Sequence, residues 1–437
     1  MYKIVIAGAG YEGLIVGTCF AEVGHLVTCV DTDKKKVALL NSGESPIYEA
    51  DLARLIQKNQ EAGRLTFTMD SNAYRDADAI FIDVGVPEQP DGSADLSNIT
   101  TVTRMISQTV EKDCIVVVKS TVPTGTCDTI EQCIKEYQVQ PVRLEVACNP
   151  DFFSKGSAIR DTLQATRFVI GVGSKWAEEI LKGIYQPFHC PVLTVNRKTA
   201  EMMKYAIDNF LALKISYINE LANLCDLIGV NIDEVTLGMS HDERIGGKFL
   251  NPGIGFGGSR FSADTRTLNY LADKNGYEFK TIRAAIEVNK LQLLRLIDAA
   301  KERFHTLEGR KIAVLGLTYK PGTDDCRESP AVFNVKELLE CGADIFAYDP
   351  VGIHNFKAMF PEGSIGKGRI SYVDNIEDAI DEAELCFIFT EWEKIKKVKP
   401  DIFRIFMKTP VIFDGRNVYE AKDMEAAGTE YHSIGRR

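Results

Sequence analysis

Short apolar runs alternate with amphipathic stretches along the first third of the chain. KIVIAGAG, LVTCVD, AIFIDVG, CIVVVKS and LEVACNP are apolar almost throughout, the pattern of strands buried on both faces. Between them, Lys34 to Ser42 and Asp51 to Ala62 repeat apolar positions at helical spacing. Strands that alternate with helices predict a parallel, doubly wound sheet. The texture changes near Arg197. From Lys198 to about Gly229 no Gly or Pro interrupts the sequence, which predicts a helix far longer than the usual roughly 10–14 residues. Such a helix is a spine between domains or a dimer contact. A second helical stretch is expected from about Phe279 to Arg303. KIAVLGL, ADIFAYD, LCFIFTE and TPVIFDG then restore the α/β texture.

The pattern therefore predicts an α/β protein with two Rossmann-like domains, residues 1–197 and 306–437, joined by a long-helix domain, residues 198–305. A chain of 437 residues is too long for one core, which agrees. With 45% hydrophobic and 26% charged residues the composition is that of a globular protein. No apolar run reaches the ~18 residues of a membrane span, and the opening segment reads as a strand into a glycine turn, not a signal peptide. A cytoplasmic protein without membrane contact is expected. The formal charge of −11 excludes a general nucleic-acid binder but not an anionic small ligand, which a local cation cluster can hold. The eleven cysteines are scattered singly, with no CxxC and no metal-ligand spacing, so no metal site is expected and most should be small buried hydrophobes.

The first strand runs into Gly8-Ala9-Gly10-Tyr11-Glu12-Gly13. Gly8 allows the tight turn, Gly10 the approach of backbone to a pyrophosphate, and Gly13 close helix–strand packing. The helix N-terminus then offers free N–H groups to the phosphates. Alone this motif is weak evidence. Here Asp31 answers it at the end of LVTCVD, where an acid accepts a ribose 2′-hydroxyl and repels a 2′-phosphate, which selects NAD. Lys34, Lys35 and Lys36 follow closely and soften that choice; otherwise they are a solvated helix start.

Several further phrases stand in order along the chain. They are Pro46-Ile47-Tyr48-Glu49, Asp91-Gly92-Ser93-Ala94-Asp95 and Lys119-Ser120-Thr121-Val122-Pro123-Thr124-Gly125-Thr126. Then come Arg244-Ile245-Gly246 leading to Phe249-Leu250-Asn251-Pro252-Gly253-Ile254-Gly255-Phe256-Gly257-Gly258-Ser259, Leu317-Thr318-Tyr319-Lys320-Pro321 and Phe413-Asp414-Gly415-Arg416-Asn417. With the glycine turn they resemble the UDP-glucose 6-dehydrogenases, in the UDP-glucose/GDP-mannose dehydrogenase family, over essentially the whole chain. The resemblance implies an N-terminal NAD domain, a central dimerising domain and a C-terminal domain for a UDP-sugar. It implies oxidation of the sugar C6 alcohol to a carboxylate, reducing two NAD by way of an aldehyde and a cysteine thioester. It also implies cofactor contacts at Gly8, Gly10, Tyr11, Gly13, Asp31, Lys36 and Thr121. Substrate contacts would come from the positions of Asp151, Phe152, Lys155, Lys204, Arg244, Phe249, Leu250, Gly257, Lys320 and Arg416, and catalysis from those of Thr121, Lys204, Asp208, Arg260 and Asp264. The glycines from Gly253 to Gly258 would give backbone close access to a ligand, or else form a plain flexible loop.

The chain also leaves the family pattern. Where the family writes Gly-Gly-Ser-Cys-Phe-x-Lys-Asp, this chain writes Gly257-Gly258-Ser259-Arg260-Phe261-Ser262-Ala263-Asp264. An arginine stays protonated and cannot act as a nucleophile. The family's Asn four residues after its lysine is Asp208, after Lys204. Its Asn-Pro-Glu, with Glu four residues later, is Asn149-Pro150-Asp151 with Lys155; its Val-Gly-Thr-Pro is Val84-Gly85-Val86-Pro87. These changes read as a rewired charge network in which Arg260 pairs with Asp208 or Asp264, since an unpaired buried charge is costly. Three functions stay open: an oxidoreductase that cannot form the thioester, the same enzyme acting on an acidic nucleotide sugar held by Arg260 and Lys155, and a pseudoenzyme that binds NAD and nucleotide sugar.

Overall fold

Each strongly apolar run of the sequence is a strand in the computed structural model, which describes residues 1–436. In the first sheet the strands are β1 (Lys3–Ala7), β2 (Leu26–Val30), β3 (Leu65–Thr68), β4 (Ala79–Ile82), β5 (Cys114–Val118), β6 (Leu144–Cys148), β7 (Phe168–Gly171) and β8 (Val192–Val195). Their order is β3-β2-β1-β4-β5-β6-β7-β8. All neighbours are parallel except β6 and β7. Side-chain alternation explains the apolar runs: Ile4, Ile6, Phe81 and Val117 pack into one core, and Val5, Ile80, Ile82 and Val116 into another. Strands covered on both faces must be apolar at every position.

The second sheet holds β9 (Lys311–Leu315), β10 (Asp344–Tyr348), β11 (Gly363–Ile365), β12 (Gly368–Tyr372), β13 (Leu385–Ile388), β14 (Val411–Asp414) and β15 (Glu430–His432), in the order β11-β12-β10-β9-β13-β14-β15. Only the β11–β12 pair is antiparallel.

The long helix is real and runs Arg197–Ile228. The expected second stretch is two helices, Lys280–Gln292 and Arg295–Phe304. Two helices of this region were not foreseen: Ile232–Ser240, and Ser259–Lys274, which begins directly after the glycine loop. Compact packing divides the chain into two units, Met1–Ile207 and one beginning at Asp208, so the division falls inside the long helix. Sequence texture alone separates residues 198–305 from the α/β region of the second sheet. Packing joins them, because Ala222, Cys225, Ile232, Ile254, Leu296 and Ile297 share one core with Ile312, Val314 and Phe387. Among the described residues no helix is long and apolar enough to cross a membrane.

Candidate active site

In the first unit β1 ends at Ala7, and Gly8 turns the chain at φ +109°. A Cβ there would lie 2.1 Å from the carbonyl oxygen of Asp83, so only glycine fits. A Cβ on Gly13 would lie 2.2 Å from the Gly8 oxygen, which lets the helix Tyr11–Glu22 close onto the strand. At Gly10 nothing stands within 4 Å of where a Cβ would be, and this helix start has no side-chain cap. The turn thus leaves open space beside uncapped N–H groups, as a pyrophosphate requires. Asp31 follows β2. Its carboxylate accepts from the Ala9 amide at 2.9 Å, the Asp33 amide at 2.9 Å and the Lys36 ammonium at 2.7 Å. Burial alone would raise this carboxyl, but these hydrogen bonds outweigh it and hold Asp31 below its ordinary value, as an anion. Lys36 is therefore the partner that orients Asp31. These residues fit NAD, the sheet order reverses between β2-β1 and β1-β4, and such crevices bind dinucleotides.

The second sheet repeats the geometry with a different outcome. Asp349 follows β10 as Asp31 follows β2, and it too accepts from the turn after the first strand, at Leu317 N (2.7 Å) and Thr318 N (3.1 Å). It also accepts from Trp392 Nε1 at 3.1 Å and Gly352 N at 2.7 Å, and it is only 2% exposed. Its own protein saturates it, so this sheet offers no ribose acid.

The remaining expected residues of the first unit lie at the carboxyl ends of β5 and β6 or on the long helix. Thr121 is half-buried in the loop after β5. Asp151 is buried, and Phe152 beside it is part-buried. Lys204, 2% exposed, holds its ammonium 5.7 Å from the Phe152 ring centre. Lys155 stands 5.1 Å over the ring of Tyr11, so its ammonium is engaged at the dinucleotide turn.

Sequence reasoning missed three residues here. Buried Lys119 donates to the backbone and side-chain oxygens of Asn149 at 3.2 and 3.1 Å. Burial lowers its pKa, against the pull of Asp151, Asp83 and Glu12. Glu201 caps the start of helix Thr126–Tyr137, accepting from Gly125 N at 2.6 Å and Cys127 N at 2.7 Å. Glu49 holds the loop before Ala158. A signal for Glu201 was present: Glu201 and Lys204 stand one helical turn apart and both are buried, where charged groups are costly unless partnered.

In the second unit, Arg260 is the second residue of helix Ser259–Lys274 and Asp264 lies one turn further on. Asp208 and Asp264 are 5% and 6% exposed. The Asn209 side chain, next to Asp208, donates to the Asp264 backbone oxygen at 3.3 Å, which joins the two helices. A thiol at position 260 would sit at the positive end of a helix, where thiols ionise readily. A guanidinium there opposes the dipole by about 0.3–1 kcal/mol.

Phe249 adopts φ +64° and is 38% exposed, while Leu250 is buried. The Phe249 and Phe256 rings lie 6.4 and 6.1 Å from Phe261. Lys320 lies 5.8 Å from the ring of Tyr319, and a Cβ on Gly258 would come within 2.8 Å of that ring.

Three residues of this unit expected to meet the substrate also make contacts within the protein. At Gly257 a Cβ would lie 2.4 Å from the Glu328 oxygen, so only glycine fits there. Protein backbone occupies the space. Arg416 ties Phe389 O (2.9 Å) and Gly255 O (3.1 Å) together and sits 3.6 Å from Glu391, so much of its guanidinium is spent on the fold. It also lines a cavity of about 230 Å³ with Lys396 and Arg436. Arg244 is 88% exposed and pairs with Asp242, so the chain does not gather it with the other residues.

A glycine turn at a helix start, answered by an anionic acid on the next strand, defines a dinucleotide-binding protein of the NAD class. The chain belongs to the UDP-glucose/GDP-mannose dehydrogenase family. Residues 2–189 match its NAD binding domain, 198–291 its central domain and 313–421 its UDP binding domain. It is 41% identical over 436 residues to the UDP-glucose 6-dehydrogenase YwqF of Bacillus subtilis, covering 100% of this chain and 98% of that one. To the UDP-glucose 6-dehydrogenase of Pseudomonas aeruginosa it is 40% identical, covering 99% and 97%. Among solved structures, a UDP-glucose dehydrogenase from Pyrobaculum islandicum superposes with a TM-score of 0.92 at 33% identity, covering 100% and 98%. A UDP-D-ManNAc dehydrogenase from Pyrococcus horikoshii superposes at 0.86 with 26% identity, covering 99% of each. The family is one of NAD-dependent dehydrogenases that act on the CH–OH group of a nucleotide sugar.

Proposed function

We propose that this chain oxidises the C6 alcohol of a UDP-sugar by a route without a thioester, so that the aldehyde is the main product and acid forms only slowly from its hydrate. The observation that carries this reading is Arg260 at the start of helix Ser259–Lys274, where the family pattern has its cysteine. Bound NAD supplies the acceptor for the C6 hydride. Asp31, aligned by Lys36, takes the ribose hydroxyl and disfavours NADP. Lys204 is the fixed cation for negative charge developing on O6, and such a charge acts strongly in a water-poor setting. Asp264, with Thr121 and water, is assigned the alcohol proton. A pairing of Arg260 with Asp208 or Asp264 would offset its unfavourable position at the helix start. Lys320 and the remaining donors of Arg416 face the UDP, and Asp151 and Phe152 the sugar. Two copies associate through the central helices.

The second reading, an acidic nucleotide sugar held by Arg260 and Lys155, is weakened by the stacking of Lys155 on Tyr11. A panel of neutral and acidic UDP-sugars incubated with NAD separates the readings. NADH formation with a neutral sugar, and a product two mass units lighter, is the expected result. NADH with acidic sugars alone supports the second reading, and no NADH with any sugar leaves a binding protein.

A further inference from the structure

Glu49 has no part in the chemistry above, yet it is 8% exposed and its carboxylate is engaged from two elements. One oxygen accepts the Ala158 amide at 2.8 Å. The other accepts the Gly156 amide at 2.7 Å and the hydroxyl of Tyr11. The Tyr11 oxygen itself accepts from Gly156 N at 3.1 Å, and the ammonium of Lys155 stands 5.1 Å over the Tyr11 ring. Asp161 steadies the same loop, accepting from Ser154 N at 3.2 Å and Ser157 Oγ at 2.6 Å. A carboxylate this buried is stable only when its donors are in place.

The two ends of this network are functionally distinct. Tyr11 is the first residue of helix Tyr11–Glu22, and its backbone belongs to the uncapped helix start at the dinucleotide turn. Gly156 directly follows the loop from Asp151 to Lys155. The glycine turn and the sugar loop therefore share one phenol and one carboxylate. Any ligand that fixes one of them restricts the other.

We propose that Tyr11, Glu49 and Lys155 form a latch through which NAD binding and nucleotide-sugar binding strengthen each other, with Glu49 as its positioning residue. The inference rests on the reading that the Asp151–Lys155 loop takes the sugar. A dinucleotide seated on the turn holds Tyr11, Tyr11 holds Glu49 and Gly156, and the loop meets the sugar already ordered. The coupling is reciprocal, so the sugar must tighten the dinucleotide by the same factor.

Calorimetric titration of the full-length protein with UDP-glucose, alone and with saturating NADH, reads this coupling directly, since that pair of ligands cannot react to product. The unaltered protein should bind UDP-glucose about fivefold or more tightly when NADH is bound, within the usual range of coupling. Tyr11→Phe removes the hydroxyl but keeps the ring under Lys155. Glu49→Gln turns one acceptor into an N–H that faces amide donors. In both variants the ratio of the two affinities should fall to about one. A merely structural Glu49 would weaken both titrations together and leave the ratio unchanged. Thermal unfolding checks that the variants fold, and if Glu49→Gln does not, Tyr11→Phe decides. Separate binding of both ligands with a ratio of about one in the unaltered protein overturns the latch alone, as does an unchanged ratio in the folded variants. Failure of either ligand to bind overturns the dehydrogenase reading and the latch with it.

Discussion

Asp31 and Arg260 show how much a single residue can reveal. Asp31 was legible because spacing sufficed: an acid at the end of the second strand after a glycine turn has few other uses. The structure adds what sequence does not show, namely that Lys36 serves the acid instead of competing with it. Asp31→Ala should therefore weaken NAD binding roughly tenfold or more, the scale of a lost hydrogen bond to a charged group. Calorimetry checks this, and equal affinity of the unaltered protein for NADP would contradict it. Arg260 was legible as a departure, but its setting was not. Asp264 stands one turn on in the same helix, but Asp208 lies on the long helix, and the Asn209–Asp264 hydrogen bond that links the two helices depends on tertiary packing. Glu49 lay within a recognisable motif without a role, because its partners at positions 156 and 158 are more than one hundred residues away.

At the scale of elements, the long helix and the buried strands followed from uninterrupted pattern, and short edge elements did not. β3 and β8, at the edges of the first sheet, are four residues each and only partly buried, so they lack the fully apolar run that marks the equally short β4. Helix Ser259–Lys274 was hidden by the glycines that precede it and by a polar start. On the long helix Phe210, Tyr217 and Leu224 recur every seven residues and are 61%, 55% and 49% exposed. Such a stripe fits a two-fold partner. Light scattering at micromolar concentration should report twice the chain mass, and Phe210→Glu with Tyr217→Glu should return it to one chain. A monomer in the unaltered protein would contradict the assignment.

His25 gives the first unit a pH dependence. Its ring nitrogens engage Tyr2 N (3.2 Å) and Ile184 O (2.9 Å), and burial lowers its pKa from the ordinary 6.5 despite the bond to Ile184. The unfolded chain takes up a proton below 6.5 while the native imidazole stays neutral. Stability present above that value is therefore lost as pH falls toward the depressed native pKa. The unfolding midpoint should drop between about pH 7 and 5, with a smaller drop in His25→Gln; identical slopes would contradict this.

For the molecule as a whole, the sequence carries the class of fold, the cofactor and the family, because glycine turns and apolar strands are local features. Packing was less legible: the helical middle joins the second sheet through one shared core, although its texture differs. The central claim is that a complete nucleotide-sugar dehydrogenase frame works without its nucleophile. The most direct measurement incubates the unaltered protein with NAD and UDP-glucose, counts NADH, and weighs both product and protein. The expected result is about one NADH per sugar oxidised, no covalent adduct and little UDP-glucuronate. Arg260→Cys alone should restore little acid formation, because Ala263, Asp208 and Lys155 also differ from the family pattern and residues that act as a unit are non-additive. Rapid formation of two NADH for each UDP-glucuronate by the unaltered protein would contradict the account.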